Sequence, residues 1–146
     1  MSTQRPDHPD RARDPEPIAP PIDAAALLSR CMGNVTLASL LLTKFETQIR
    51  DDLSCICRAV QLRDAGSAAR AGHSLKGAAA ALSAGSVQRT AGLIERAART
   101  DQIESAGAQL GELQTEVARC LAFLPSVRAA IARTSPPPPS GPRSRA

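Results

Sequence analysis

The sequence contains no tryptophan and no tyrosine, and only two of its 146 residues are phenylalanine. That shortage excludes the aromatic platforms on which single-stranded nucleic acids stack, and it argues against a sheet core, which favours aromatic and β-branched side chains. Hydrophobic residues still make up 42% of the chain, so the core has to be built from Leu, Ile, Val and Ala, the residues that fill seams between helices. No stretch reaches the roughly 18 apolar residues of a membrane span. The opening residues, MSTQRPDHPDRARDPEP, hold no apolar run of the kind a signal peptide needs, and a cytoplasmic location is the expectation. The four cysteines, Cys31, Cys55, Cys57 and Cys120, lack both zinc-ligand spacing and the density of a disulfide scaffold. Cys55 and Cys57 lie about 200° apart around a helix and cannot share one ion, so no metal site is expected and the thiols read as small hydrophobes or free surface groups.

The formal net charge is +4, but through the middle of the chain acidic and basic groups are interspersed. No basic block marks a nucleic-acid footprint. The ends differ from the middle. Residues 1–20 are rich in Pro, Asp and Arg and include His8, while the C-terminal stretch 134–146, TSPPPPSGPRSRA, is rich in Pro. Neither can bury enough apolar surface to offset its ordering entropy, so both are expected to be disordered tails, the second partly in extended polyproline form. Residues 21–133 are then one helical domain.

Within it the apolar spacing is helical. Asp23 is placed to cap a short leading helix, IDAAALLSRC, which stops near Gly33, and Asn34 to cap a long one. In that long helix Leu37, Leu41, Phe45, Ile49, Leu53, Ile56 and Val60 recur at intervals of three and four. After a break at Asp64 and Gly66 a third helix runs to about Leu82, with Ala68, Ala71, Leu75, Ala79 and Leu82 inward. A fourth follows SAGS and turns Val87, Ala91, Ile94 and Ala98 one way. Asp101 is expected to cap the last helix, whose stripe is Ile103, Leu110, Leu113, Val117, Leu121 and Leu124, and Pro125 to kink or end it. Short connections between substantial helices predict an all-α protein, an antiparallel four-helix bundle with a short additional N-terminal helix.

The third helix carries the chemistry. In AGHSLKGAAAAL, residues 71–82, His73 falls about 200° from Leu75 and so faces away from the core. Ala69 and Gly77 lie one turn to either side of it, Ala80 further along the same face, and Arg70 and Lys76 flank it. Helix-interior glycine costs about 1 kcal/mol relative to Ala, so Gly72 and Gly77 suggest turns stripped of bulk so that the imidazole can be reached. An accessible neutral imidazole is a nucleophile near neutral pH. The neighbouring ammonium of Lys76 would attract the oxygens of a phosphoryl group.

His73-Ser74-Leu75-Lys76-Gly77, followed by AAAAL, resembles the signature of histidine-containing phosphotransfer (HPt) domains, His-x-Leu-Lys-Gly with small residues after it. IDAAALLSRCMGN and LLLTKFETQIRDDL resemble the family's first two helices, and GLIERAART its Leu-x-Glu-x-Ala-Arg stretch; the similarity covers about residues 20–125. The resemblance implies a four-helix bundle with a short fifth helix and no catalytic activity of its own. It also implies that Nε2 of His73 accepts a phosphoryl group from the aspartyl phosphate of one receiver domain and passes it to the aspartate of another. Lys76 would steady the phosphoryl oxygens and Gly77 would give clearance. Glu95 and Arg99, one turn apart on the following helix, would flank the site, with Ala69, Arg70 and Ala80 completing the receiver-docking surface. The carrier itself would need no cofactor, magnesium being expected on the partner receiver of a hybrid kinase or response regulator, and it would be a monomer without a nucleic-acid or membrane partner. Two positions depart from the family pattern: Gly72 stands where Ala is common, which is expected only to soften the helix, and Ser83 stands where a glycine usually ends it, with Gly85 suggesting a shifted turn.

Two alternatives compete. The dimerisation helix of a sensor kinase places an acid directly after the histidine, whereas Ser74 stands here, and no glycine-rich ATP-binding segment is present. A docking module that binds and regulates a receiver without carrying phosphate stays open.

Overall fold

The computed structural model describes residues 20–134; residues 1–19 and 135–146, which hold His8 and nearly all of both expected tails, lie outside the described residues. Five helices follow in order: α1 (Ala24–Arg30), α2 (Val35–Gln61), α3 (Ala65–Ala81), α4 (Gly85–Arg99) and α5 (Ile103–Thr134). Three of them start where a short polar side chain takes up an orphan amide. Asp23 accepts from the amide of Ala26, Asn34 from that of Leu37 and Asp64 from that of Ser67, each such cap contributing about 1 kcal/mol. Three-residue connections link α2 to α3, α3 to α4 and α4 to α5, so consecutive helices run antiparallel. They pack as a ring, α2 on α3, α3 on α4, α4 on α5 and α5 back on α2, with α1 laid across α2 and α5.

Each three-residue connection turns on a residue with positive φ that is not glycine: Arg63 (56°), Ser83 (58°) and Asp101 (59°). The amide after each one bonds back to the preceding helix, as in Asp64 to Ala59 O, Ala84 to Ala79 O and Gln102 to Ala97 O, all at 2.8 Å. This closes the last turn in the manner of a Schellman motif. Two expectations are corrected here. The α3–α4 turn is not shifted to Gly85, because Ser83 itself takes the left-handed conformation and Gly85 is the first residue of α4. Nor does Asp101 cap α5: it is the left-handed turn residue, and the first α5 amide bond, Ala106 to Gln102 O, makes Gln102 the residue at the cap.

The centre of the bundle is aliphatic: Leu42, Ile49 and Ile56 from α2, Leu75 from α3, Val87 and Ile94 from α4, and Leu113 and Val117 from α5 are fully buried. The α3 and α4 stripes lie as the spacing predicts. That of α2 holds at Phe45, Ile49 and Ile56 but is rotated at its N-terminal end. Ala38 and Leu42 are buried, whereas Leu37 is 42% exposed and Leu41 and Leu53 are only partly covered. Small alanines fill the close seam at Ala38 and Ala59, and larger leucines are left at its edge.

The last helix also departs from expectation. Pro125 neither ends α5 nor stops its packing, since the helix continues to Thr134 with Pro125 on its exposed face. An interior proline costs about 3 kcal/mol. Beyond it Val127 and Ile131 are buried at 1% and 2% exposure, and burying each contributes about 1.5–3 kcal/mol, enough to offset the break. No single helix among the described residues is long and apolar enough to cross a membrane.

Candidate functional site

His73 stands midway along α3 with its side chain 64% exposed, on the opposite face from the buried Leu75. Its Nδ1 lies 3.0 Å from Oε2 of Glu95 on α4. Glu95 is a buried carboxylate, 5% exposed, and the hub of the site. Besides His73, Lys76 Nζ donates to its Oε1 at 2.8 Å and Arg99, one turn along the same helix, donates to Oε2 at 2.6 Å. Burial alone would push this carboxyl up. The hydrogen bonds from Lys76 and His73 and the charges of Lys76 and Arg99 outweigh it and hold the group below the usual glutamate range. An ionised carboxylate only accepts, so Nδ1 of His73 carries the proton. In the neutral ring the lone pair then lies on Nε2, which has no hydrogen-bond partner among the described residues.

The two glycines beside the histidine do different things. A Cβ on Gly77 would meet nothing within 4 Å, leaving open surface one turn from the ring. Gly72 is buried, and a Cβ there would lie 3.2 Å from Ala91 O, 3.2 Å from the Glu95 amide nitrogen and 3.3 Å from Glu95 Cα. The expectation that Gly72 merely softens the helix is therefore corrected: its missing side chain lets the backbones of α3 and α4 approach at the level of Glu95. Sequence reasoning missed this because the contact is between helices. Gly92 was missed for the same reason; a Cβ there would sit 3.3 Å from Lys76 Cδ, so this glycine leaves room for the lysine stem on its way to Glu95.

On the other side of His73, Ser74 Oγ donates to Asp52 Oδ2 at 2.8 Å and accepts from Gln48 Nε2 at 3.0 Å. Gln48 and Asp52 are one turn apart on α2, so the network fixes α3 against α2 one residue from the histidine. Partial burial pushes the Asp52 carboxyl up despite these hydrogen bonds. No sequence signal singled out this trio.

Of the residues expected to form the docking surface, Glu95 and Arg99 meet at the His73 site itself. Arg70 is exposed and donates to Ser67 Oγ at 3.1 Å. Ala80 is half-buried, and its carbonyl accepts from Arg30 of α1. Ala69 corrects the expectation, since it is 8% exposed and belongs to the core, where it cannot offer an apolar contact to a partner. Among the cysteines Cys31 and Cys120 are buried, Cys55 is exposed and Cys57 lies between, and all are free thiols. Burial pushes the Cys120 thiol up to about 11. Among the described residues no group of His, Cys, Asp and Glu has the arrangement of a metal site.

The bundle thus exposes one nitrogen of a histidine while a buried carboxylate holds the other. A family model described as the Hpt domain matches residues 40–123, and the chain belongs to that family, with a role in histidine phosphotransfer within two-component phosphorelays. Proteins of this family are phosphocarriers rather than enzymes. Among solved structures the fold is similar to that of histidine-containing phosphotransfer protein B (HptB) from Pseudomonas aeruginosa PAO1, with a TM-score of 0.64 and 23% sequence identity over 79% of this chain and 94% of that one. Comparison with curated proteins gives no match.

Proposed function

We propose that His73 is the phosphoacceptor, taking a phosphoryl group from the aspartyl phosphate of one receiver domain and giving it to the aspartate of another. The observation that carries this reading is the Glu95–His73 contact at 3.0 Å, which leaves the free lone pair on the outward-facing Nε2. In the transfer, Nε2 attacks phosphorus, the bond from phosphorus to the aspartyl oxygen breaks, and the electron pair leaves with the regenerated carboxylate. The ring becomes a phosphorylated imidazolium whose Nδ1–H stays hydrogen-bonded to the Glu95 carboxylate, so the positive charge it gains faces an anion already in place. Lys76 and Arg99, both within hydrogen-bonding distance of Glu95, would supply positive charge to the added phosphoryl oxygens. Passing the group on reverses these steps. The chain supplies the nucleophile and its electrostatic setting, and the receiver supplies the magnesium.

A receiver approaching His73 would meet the open surface over Gly77 and the exposed side chain of Arg70. Steering by Arg70, Lys76 and Arg99 towards an acidic receiver site would make association fall with rising salt. The test is transfer of labelled phosphate from a panel of phosphorylated receiver domains, with magnesium, to the protein and to His73→Gln. Acid-labile, base-stable label on the parent alone is expected. Receiver binding without any label would make the protein a docking regulator instead.

A further inference from the structure

Next to the His73 site, on the outer face of α4, lies an open cleft of about 520 Å³. Lys76 and Arg99 form the wall it shares with that site, and Arg89 and Arg96 extend it along α4. Gly92 keeps its floor low and the partly exposed Leu93 adds an apolar edge. The carboxylate among its lining residues, Glu95, is buried and already engaged by Lys76, Arg99 and His73. Arg89 and Arg96 are both exposed, and neither forms an ion pair or a side-chain hydrogen bond with any of the described residues. Five of the nine other arginines among the described residues have an acid beside them: Arg50 and Arg128 have Glu46, Arg63 has Glu104, Arg99 has Glu95 and Arg119 has Glu116. The cleft therefore carries two unneutralised guanidinium groups, suited to pairing with carboxylates in bidentate fashion.

We propose that this cleft binds an acidic segment of the receiver domain that docks at His73, and that Arg89 and Arg96 thereby help to set which receivers are accepted. The inference rests on the carrier reading above. Two observations favour this occupant: the unpaired guanidinium groups of the cleft suit an acidic partner, and the cleft is continuous with the site through Lys76, Glu95 and Arg99, so one docked protein can span both. The carboxylates of such a segment would contact α4 at Arg89 and Arg96, beside the site and not in it. Receivers lacking acids at that position would lose the contact, which is how a peripheral charged patch gives discrimination and on-rate.

The test uses the full chain, the charge-reversed double variant Arg89→Glu/Arg96→Glu and the charge-retaining Arg89→Lys/Arg96→Lys. Helical circular dichroism of each checks folding. Each is labelled in two ways: by phosphoramidate, a small donor that needs no docking, and by the receiver that labels the parent fastest from a panel. The charge-reversed variant is expected to lose at least about tenfold in second-order transfer rate at low ionic strength, with the gap narrowing towards 0.5 M salt as screening grows. The lysine variant, which keeps the charge but not the bidentate geometry, should fall between the parent and the charge-reversed variant, and phosphoramidate labelling should be equal in all three. Equal transfer by parent and charge-reversed variant overturns the proposal and makes the cleft a solvated face. A matching loss of phosphoramidate labelling also overturns it, by placing the two arginines in the chemistry rather than in docking. If no receiver labels the parent, the carrier reading itself fails, a result distinct from labelling that the charge reversal leaves untouched.

Discussion

Replacing Gly72 and Gly77 in turn by alanine separates two reasons for a glycine on α3. Both positions are helical, and exchanging a helix-interior Gly for Ala is worth about 1 kcal/mol in propensity and unfolded-state entropy. At Gly77 the added Cβ meets nothing within 4 Å, so the gain should appear in full, raising the melting temperature by about 4 °C for a domain of this size. At Gly72 the Cβ would be pressed to 3.2–3.3 Å from three backbone atoms of α4. Backbone cannot rotate aside, so α3 and α4 must part by a few tenths of an ångström along a close-packed seam. Overpacking of that kind costs about 1–3 kcal/mol, which cancels or exceeds the gain. Gly72→Ala is therefore expected to melt at or below the parent temperature, and Gly77→Ala above it, by circular dichroism at 222 nm. Two of the three crowded atoms belong to Glu95, so Gly72→Ala should also draw the carboxylate away from His73 Nδ1 and shift the imidazole nitrogen resonances. A rise in melting temperature for Gly72→Ala equal to that of Gly77→Ala would refute the close-approach argument.

Glu95→Gln removes the anion shared by His73, Lys76 and Arg99, and should lower stability at neutral pH. Because the folded carboxyl lies below its ordinary value of 4.5, the unfolded chain binds the proton first as pH falls. The parent's advantage over Glu95→Gln is thus full at neutral pH and lost as pH drops below the ordinary glutamate range; urea melts from pH 7 to 3 would show the two curves converging, whereas a constant gap would contradict the assignment. Ser83→Gly relieves a left-handed φ of 58° and removes a buried hydroxyl without a hydrogen-bond partner, and is expected to stabilise by about 0.5–1 kcal/mol, read as a higher urea midpoint at an unchanged m-value. Gly77→Gln is expected to slow receiver-dependent transfer while leaving the helical spectrum intact; undiminished transfer would remove the clearance argument.

The helices and the outward direction of His73 were legible because the small and apolar residues of α3 recur at helical spacing, and its one imidazole lies opposite Leu75. Glu95 and Arg99 were legible through the family pattern, one turn apart on the next helix. What could not be read depends on distances between helices. Gly72 and Gly92 are silent in a sequence until the backbone or stem they admit is seen, and the Ser74–Asp52–Gln48 network joins residues more than twenty positions apart. The α2 stripe was read correctly at Phe45, Ile49 and Ile56 but not at its start, because hydrophobic spacing weights large side chains, whereas Ala38 and Leu42 are buried there and Leu37 is left outside. Pro125 does not end α5 because the burial of Val127 and Ile131 against the rest of the fold outweighs a local penalty.

The central claim is that Glu95 holds Nδ1 of His73 and so directs phosphate to Nε2. Two-dimensional proton–nitrogen NMR of the imidazole, recorded before and after transfer from a phosphorylated receiver, tests it directly. The account predicts a proton on Nδ1 in the free neutral ring and phosphate on Nε2 afterwards, with Glu95→Ala losing the first feature. A free ring protonated at Nε2, or phosphate found on Nδ1, would contradict it.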